Sequence, residues 1–223
     1  CCSDLNLMLT PYDAMRLRKA LGMGSEEFLA KYARVSNFPD TGFPALHLNM
    51  MEIPGKPCPF VREEGCSVYP HRPAACRTYP IGRASRLNDS GEIVEQFFVV
   101  REDHCKGFEE DKDWDVDSWT ADQGLEPYNE ANNRFMRLIV GQRERGPITQ
   151  RHASMILLAL YQLDKFQGFI QSMQIFKKVR VDPEEQERIL NDEEATLDFA
   201  LNWLELLLTG KSDKLHRIVD PFA

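Results

Sequence analysis

The chain has 223 residues, 43% of them hydrophobic and 28% charged, enough to bury a sizeable core as one large domain or two small ones. Its 35 acidic residues outnumber the 27 basic ones for a net charge of −8, which argues against a nucleic-acid surface, because phosphate contacts want a basic face. No run approaches the roughly 18 apolar residues of a membrane helix and no basic-then-apolar leader is visible. The expectation is a cytoplasmic protein with no nucleic-acid or membrane partner. There thiols stay reduced, and clustered cysteines point to metal or redox chemistry before disulfides.

Cys1 and Cys2 open the chain. Thr10-Pro11 then reads as a helix start, a hydroxyl cap followed by proline at the first helical position. Ala14, Leu17 and Leu21 fall on one face, and Gly22 and Gly24 end that helix. The Gly-Met-Gly at 22–24 follows a helix and not a strand, so it predicts a turn and not a phosphate loop. Ser25 is expected to cap a second helix from Glu26 to Ala33. Ala45 to Ile53 reads as a strand with Leu46, Leu48 and Met50 on one side. His47 on that strand is expected to be partly buried and neutral.

The next stretch, Cys58 to Pro80, carries Cys58, Cys66 and Cys76 among Pro59, Pro70, Pro73 and Pro80. Proline fixes its own φ and pushes its predecessor away from the helical region, so a rigid irregular loop is expected to present these sulfurs. From Lys56 to Arg86 the charge balance reverses, with six basic residues facing only Glu63 and Glu64. Cations nearby favour thiolates, which metal binding requires. Arg83 to Leu87 and Glu92 to Arg101 then flank Asn88-Asp89-Ser90-Gly91, a hairpin turn, and Cys105 follows the second arm. Glu102 to Asp117 reads as an acidic connector, with Asp115 capping a short helix through Gln123.

The remainder predicts helices over Pro127 to Arg143, Ile148 to about Arg180, and Pro183 to Leu208, the last with a break near Asn191-Asp192 and a stop at Gly210. Leucines cover most of the final helix's circumference, so it is expected to be buried in the domain or against a partner. The methionines look like core filler. The fold class is α+β, mostly helical, with a small antiparallel sheet and an irregular metal-binding cysteine loop. The expected division is a cysteine-cluster metal-binding domain over 1–112 and a helical domain over 113–223.

The spacing C-C, a long gap, C-x7-C-x9-C, a long gap, and C is not the C-x2-C knuckle of zinc ribbons. Adjacent Cys1 and Cys2 point in opposite directions in an extended segment, which suits a polynuclear centre better than one ion. Candidate metal ligands are Cys1, Cys2, Cys58, Cys66, Cys76 and Cys105. His71 and His104 lie beside them as ligands or hydrogen-bond donors to ligands, with a surface role the commoner outcome for such histidines. Tyr69 and Tyr79, each just before a proline, are expected to pack over the centre and limit water. His152 and His216 are expected at the surface.

The series Cys58-Pro59-Phe60, Gly65-Cys66-Ser67-Val68-Tyr69 and Arg72-Pro73-Ala74-Ala75-Cys76-Arg77-Thr78-Tyr79-Pro80 resembles the YkgJ-like proteins, the CxxCxxCC family of zinc- or iron-chelating domains. Cys1-Cys2 matches the end of that family's amino-terminal C-x2-C-C, and Cys105-Lys106-Gly107 its later C-P-G. The first cysteine of C-x2-C-C is absent from this sequence, and Lys106 stands in place of proline. The likeness covers roughly residues 1–110 and implies a bound metal centre, iron–sulfur or zinc. A [4Fe–4S] cluster is favoured, with Cys2, Cys58, Cys66 and Cys76 as its four thiolates, Cys1 and Cys105 in reserve or at a second site, and Arg72 and Arg77 offsetting its charge. The functional expectation is a redox or electron-transfer role. The alternative is a structural zinc protein whose C-terminal helices dock a protein partner, and a third reading is a cluster-dependent modifying enzyme such as a protein methylase. No Gly-rich turn after a strand provides a methyl-donor site.

Overall fold

The computed structural model describes residues 2–218, and Cys1 lies outside them. The chain is α+β, about 49% helical, with three small antiparallel sheets among the described residues. β1 (Met8–Leu9) leads directly into α1 (Pro11–Leu21). Thr10 caps α1 in a reciprocal box with Asp13, and Gly22 closes it at φ 62°, where an L side chain would be strained. α2 (Ser25–Tyr32) begins one residue before the expected start. Ser25 lies inside the helix, and its N–H donates to the Asp164 carboxylate at 2.9 Å. The cap therefore comes from 139 residues away.

β2 (Ala33–Asn37) and β3 (Pro44–Leu48) pair antiparallel, and β1 takes the other edge of β3. The strand expected over 45–53 thus ends at Leu48. It is the central strand, with Ala45, Leu46 and Leu48 all buried, so both its faces are covered.

The cysteine segment is more regular than its prolines suggest. β4 (Val61–Arg62) and β5 (Gly65–Cys66) form a minimal hairpin, Tyr69–His71 is a 3-10 turn, and α3 (Ala74–Thr78) follows Pro73. Pro70 and Pro73 stand at the start of the turn and of the helix, where a missing N–H breaks no intrahelical bond. Cys66 is therefore presented from a strand and Cys76 from a helix. The hairpin of β6 (Ile81–Leu87) and β7 (Ile93–Val99) forms around the expected turn. Gly82 pairs with Phe98, whose ring occupies the space a β-carbon on residue 82 would need.

α4 (Val116–Asp122), capped by Asp115, and α5 (Glu126–Arg143) lie where expected. The single helix expected over 148–180 is instead α6 (Gln150–Tyr161), α7 (Leu163–Ser172) and a 3-10 turn at Ile175–Lys177. The breaks fall at Gln162, with φ −125° and ψ 56°, and at Gln174, with φ 52°. α8 (Pro183–Asn191) and α9 (Glu193–Thr209) divide at Asp192, which caps α9 by accepting from the Ala195 N–H.

One hydrophobic cluster joins Leu9, Leu17, Phe28 and Leu46 to Ile156, Phe166 and Leu204. α1 packs on α5, α6 and α9, so the buried core runs across residue 112 without a gap. α9 buries Leu197, Leu201, Leu204 and Leu206 within the chain itself. The methionines divide: Met15 is core, whereas Met8, Met51 and Met173 are exposed. None of the described helices is long and apolar enough to cross a membrane.

Candidate metal centre

Three local devices bring four cysteines toward one place. The Cys58 N–H donates to the Cys2 carbonyl at 2.8 Å, and Ser3 bridges antiparallel to Pro57, so the amino-terminal segment is zipped along the entry to the cysteine loop. The β4–β5 hairpin sets Cys66 opposite Val61, while the Val61 N–H donates back to the Cys58 carbonyl at 3.1 Å. α3 supplies Cys76, and its first N–H, that of Ala74, donates to the buried Asp13 carboxylate at 2.8 Å.

Cys2, Cys58, Cys66 and Cys76 are free thiols, as is Cys105. Burial pushes the Cys58 thiol up; the Phe60 N–H opposes this, and Cys2 and Cys66 add to it. For Cys76 desolvation is again the first cause, followed by Cys58, Cys2, Asp13 and Cys66, all raising it. Cys76 as a residue is exposed, so solvent still reaches its side chain, and the direction of the shift is what bears on the site. Each of these causes makes a second negative charge harder to hold. Cys2, Cys58 and Cys66 thus all act on Cys76, although among the described residues no three His, Cys, Asp or Glu side chains converge into a ready-made single-ion site.

Arg72 and Arg77 of the basic segment are engaged by the backbone and side chains around the turn before α3. Arg77 is buried and donates to the carbonyls of Arg72 (3.0 Å), Gln123 (2.6 Å) and Pro70, with its guanidinium 4.7 Å from the Tyr128 ring centre. Arg72 donates to the Tyr69 carbonyl and the Gln123 side chain and stacks 3.8 Å from the Tyr69 ring centre. Both hold the turn before α3 in shape. Tyr69 is itself 57% exposed, its ring carrying Arg72.

Cys105 keeps other company. Tyr79 stacks on His104 with ring centres 6.4 Å apart, and the His104 ring lies 3.5 Å from the Glu102 carboxylate. The Tyr79 hydroxyl has no aligned hydrogen-bond partner, and desolvation together with Glu102 and Cys105 raises its pKa. His71 Nδ1 is likewise shielded without a partner, and burial, then Arg34, lowers the pKa of His47. Of the six candidate ligands, Cys2, Cys58 and Cys66 are brought near enough to Cys76 to act on it, Cys105 joins Tyr79, and Cys1 lies outside the described residues.

Asp13 is the residue that sequence reasoning passed over. It is 2% exposed and accepts from the Thr10 N–H and hydroxyl as well as from Ala74. Burial raises its pKa, while those hydrogen bonds and Arg77 oppose the rise. The Thr10-x-x-Asp13 pattern signals a capping box, but nothing in it points to residue 74.

Residues 1–108 match the family described as "CxxCxxCC: Putative zinc- or iron-chelating domain". Over that stretch, just under half of its length, the chain is similar to this family. No curated protein and no solved structure matches the chain. The match ends just past Cys105 and spans every cysteine, whereas the helices from α4 onward lie beyond it. As a family of metal chelators, it agrees with the donor set, since four soft sulfur ligands suit zinc or iron–sulfur chemistry and not a hard cation.

Proposed function

We propose that Cys2, Cys58, Cys66 and Cys76 bind one [4Fe–4S] cluster and that the protein has a redox role in the reducing cytoplasm. The observation that carries this is that three separate backbone devices bring Cys2, Cys58 and Cys66 near enough to Cys76 to act on it. Together these four thiols meet the ligand requirement of a cubane. When bound, such a cluster supplies reversible one-electron exchange. The chain's part is to fix the sulfurs: Cys58 through the Cys2 carbonyl, Cys76 through Asp13 on the α3 amino end. Thiols kept up by burial and by one another give up their protons when a cation arrives to offset the charge.

Protein purified without oxygen is expected to be coloured, to hold iron and acid-labile sulfide in equal amounts, and to bleach reversibly on reduction. Cys76→Ser is expected to lose most of the iron and Cys105→Ser to keep it. A colourless protein with one zinc per chain would overturn the redox reading. Iron loss in the Cys105 variant equal to that in the Cys76 variant would overturn the ligand set.

A further inference from the structure

The helical half holds a half-open groove of about 610 Å³, within the roughly 300–1,000 Å³ range of small-molecule sites. Its floor is apolar, made by Phe169 on α7, Trp203 and Leu206 on α9, and Ile175 in the turn after α7. Met173 and Ile218 stand at its mouth, 46% and 48% exposed. The rim is of one sign. Arg151 and His152 come from the first turn of α6, and Lys178 and Arg217 from two segments tied by the Val179–Arg217 bridge and the Ile218 N–H donating to the Lys178 carbonyl at 2.9 Å.

Among the described residues no Asp or Glu lines this groove, although acids outnumber bases in the chain by 35 to 27. Among the described residues none of the three rim cations, Arg151, Lys178 and Arg217, is in an ion pair. An apolar slot with cations at its lip fits a molecule with an apolar body and an anionic end. The body takes the floor by the hydrophobic effect, and the head takes charge-assisted hydrogen bonds from arginine, whose planar fork matches a carboxylate.

We propose that this groove binds a single-chain amphiphile with a carboxylate head, a long-chain fatty acid by chemical class. It stands independently of the metal centre, since its lining comes entirely from residues 151–218. Trp203 on the floor makes it testable in the intact, metal-loaded protein. A brominated stearic acid is expected to quench tryptophan fluorescence saturably at one site per chain, and Trp203→Phe to abolish most of that quenching while Trp114 and Trp119 remain. Palmitate is expected to displace the probe, and hexadecanol to do so at least tenfold less well. The triple variant Arg151→Ala, Lys178→Ala, Arg217→Ala is expected to bind palmitate at least tenfold more weakly with unchanged helical circular dichroism. Should that variant lose its fold, Met173→Trp, which blocks the mouth from a half-exposed position, is expected to exclude the probe instead. Absence of saturable quenching, quenching that survives Trp203→Phe, or equal displacement by the alcohol would each overturn the proposal. So would binding to phosphatidylglycerol vesicles without uptake of the free acid, which would assign the rim to a membrane surface.

Discussion

Asp13 shows how one buried carboxylate ties the first turn of α1 to the cysteine loop. Its two oxygens take the Thr10 N–H and hydroxyl on one side and the Ala74 N–H on the other, in a site 2% exposed. Removing the acceptor leaves the buried Ala74 N–H unsatisfied at about 1–3 kcal/mol and the part-buried Thr10 N–H at about 1 kcal/mol, the low end of that range. Asp13→Ala is therefore expected to destabilise the protein by about 2–4 kcal/mol, read from the urea midpoint. It is also expected to lower metal occupancy, because Cys76 stands two residues beyond Ala74 on the same short helix. Asp13→Asn keeps one acceptor and is expected to fall between. An alanine variant with unchanged midpoint and metal content would show that the carboxylate positions nothing. The sequence supports half of this arrangement. Thr10, Pro11 and Asp13 are a local pattern with a local cause, whereas the bond to residue 74 exists only once the loop has folded back onto α1. The cysteines were legible as a set for the same reason in reverse: residue type alone marks a thiol as a ligand, while which four meet is a matter of tertiary folding.

Helix ends that carry their own signals in the chain appear where those signals lie, as at Thr10, Asp115, Asp192 and Gly210. α2 differs, with Gly24 at its N-cap offering no side chain and Asp164 of α7 doing that work from outside. Burial pulls the Asp164 carboxyl up, but the adjacent Ser25 hydroxyl and N–H and the Lys165 N–H together hold it below the usual carboxylate range. A group depressed in the folded state contributes stability above its unfolded pKa of about 4 and loses it as pH falls through the lower folded value. Asp164→Ala is thus expected to cost about 0.5–1 kcal/mol at pH 7, at the low end because the carboxylate is partly solvated. The difference from wild type is expected to shrink below pH 4, measured by urea unfolding at a series of pH values; a pH-independent difference would assign the effect to packing. The breaks at Gln162 and Gln174 were illegible on the same grounds. Apolar residues continue at helical spacing through both, with no proline and no glycine at either position, so the turns come from how α6, α7 and α9 pack and not from local preference.

At the scale of the whole molecule, the family match ends at residue 108 while the core does not. Leu17 of α1 is 0% exposed in the cluster that also holds Ile156, Phe166 and Leu204. The α+β class was readable from patterning because each element's period is local. Contacts between α1 and α5, α6 and α9 are not local, and a change of composition near residue 112 says nothing about where apolar surface is buried. A shared core couples the two halves, since opening either exposes apolar area on both. Metal release, followed by absorbance, and helix loss, followed by far-ultraviolet circular dichroism and dominated by α5 to α9, are therefore expected to coincide in one denaturant transition. Leu17→Ala is expected to shift both signals together by about 2–5 kcal/mol, although the substitution lies in the metal-binding half. Helical signal that survives after all metal is lost would mean that 1–112 and 113–223 unfold as separate domains. In that case Leu17→Ala would move only the first of two transitions, because the cavity it leaves would weaken a core the later helices do not need.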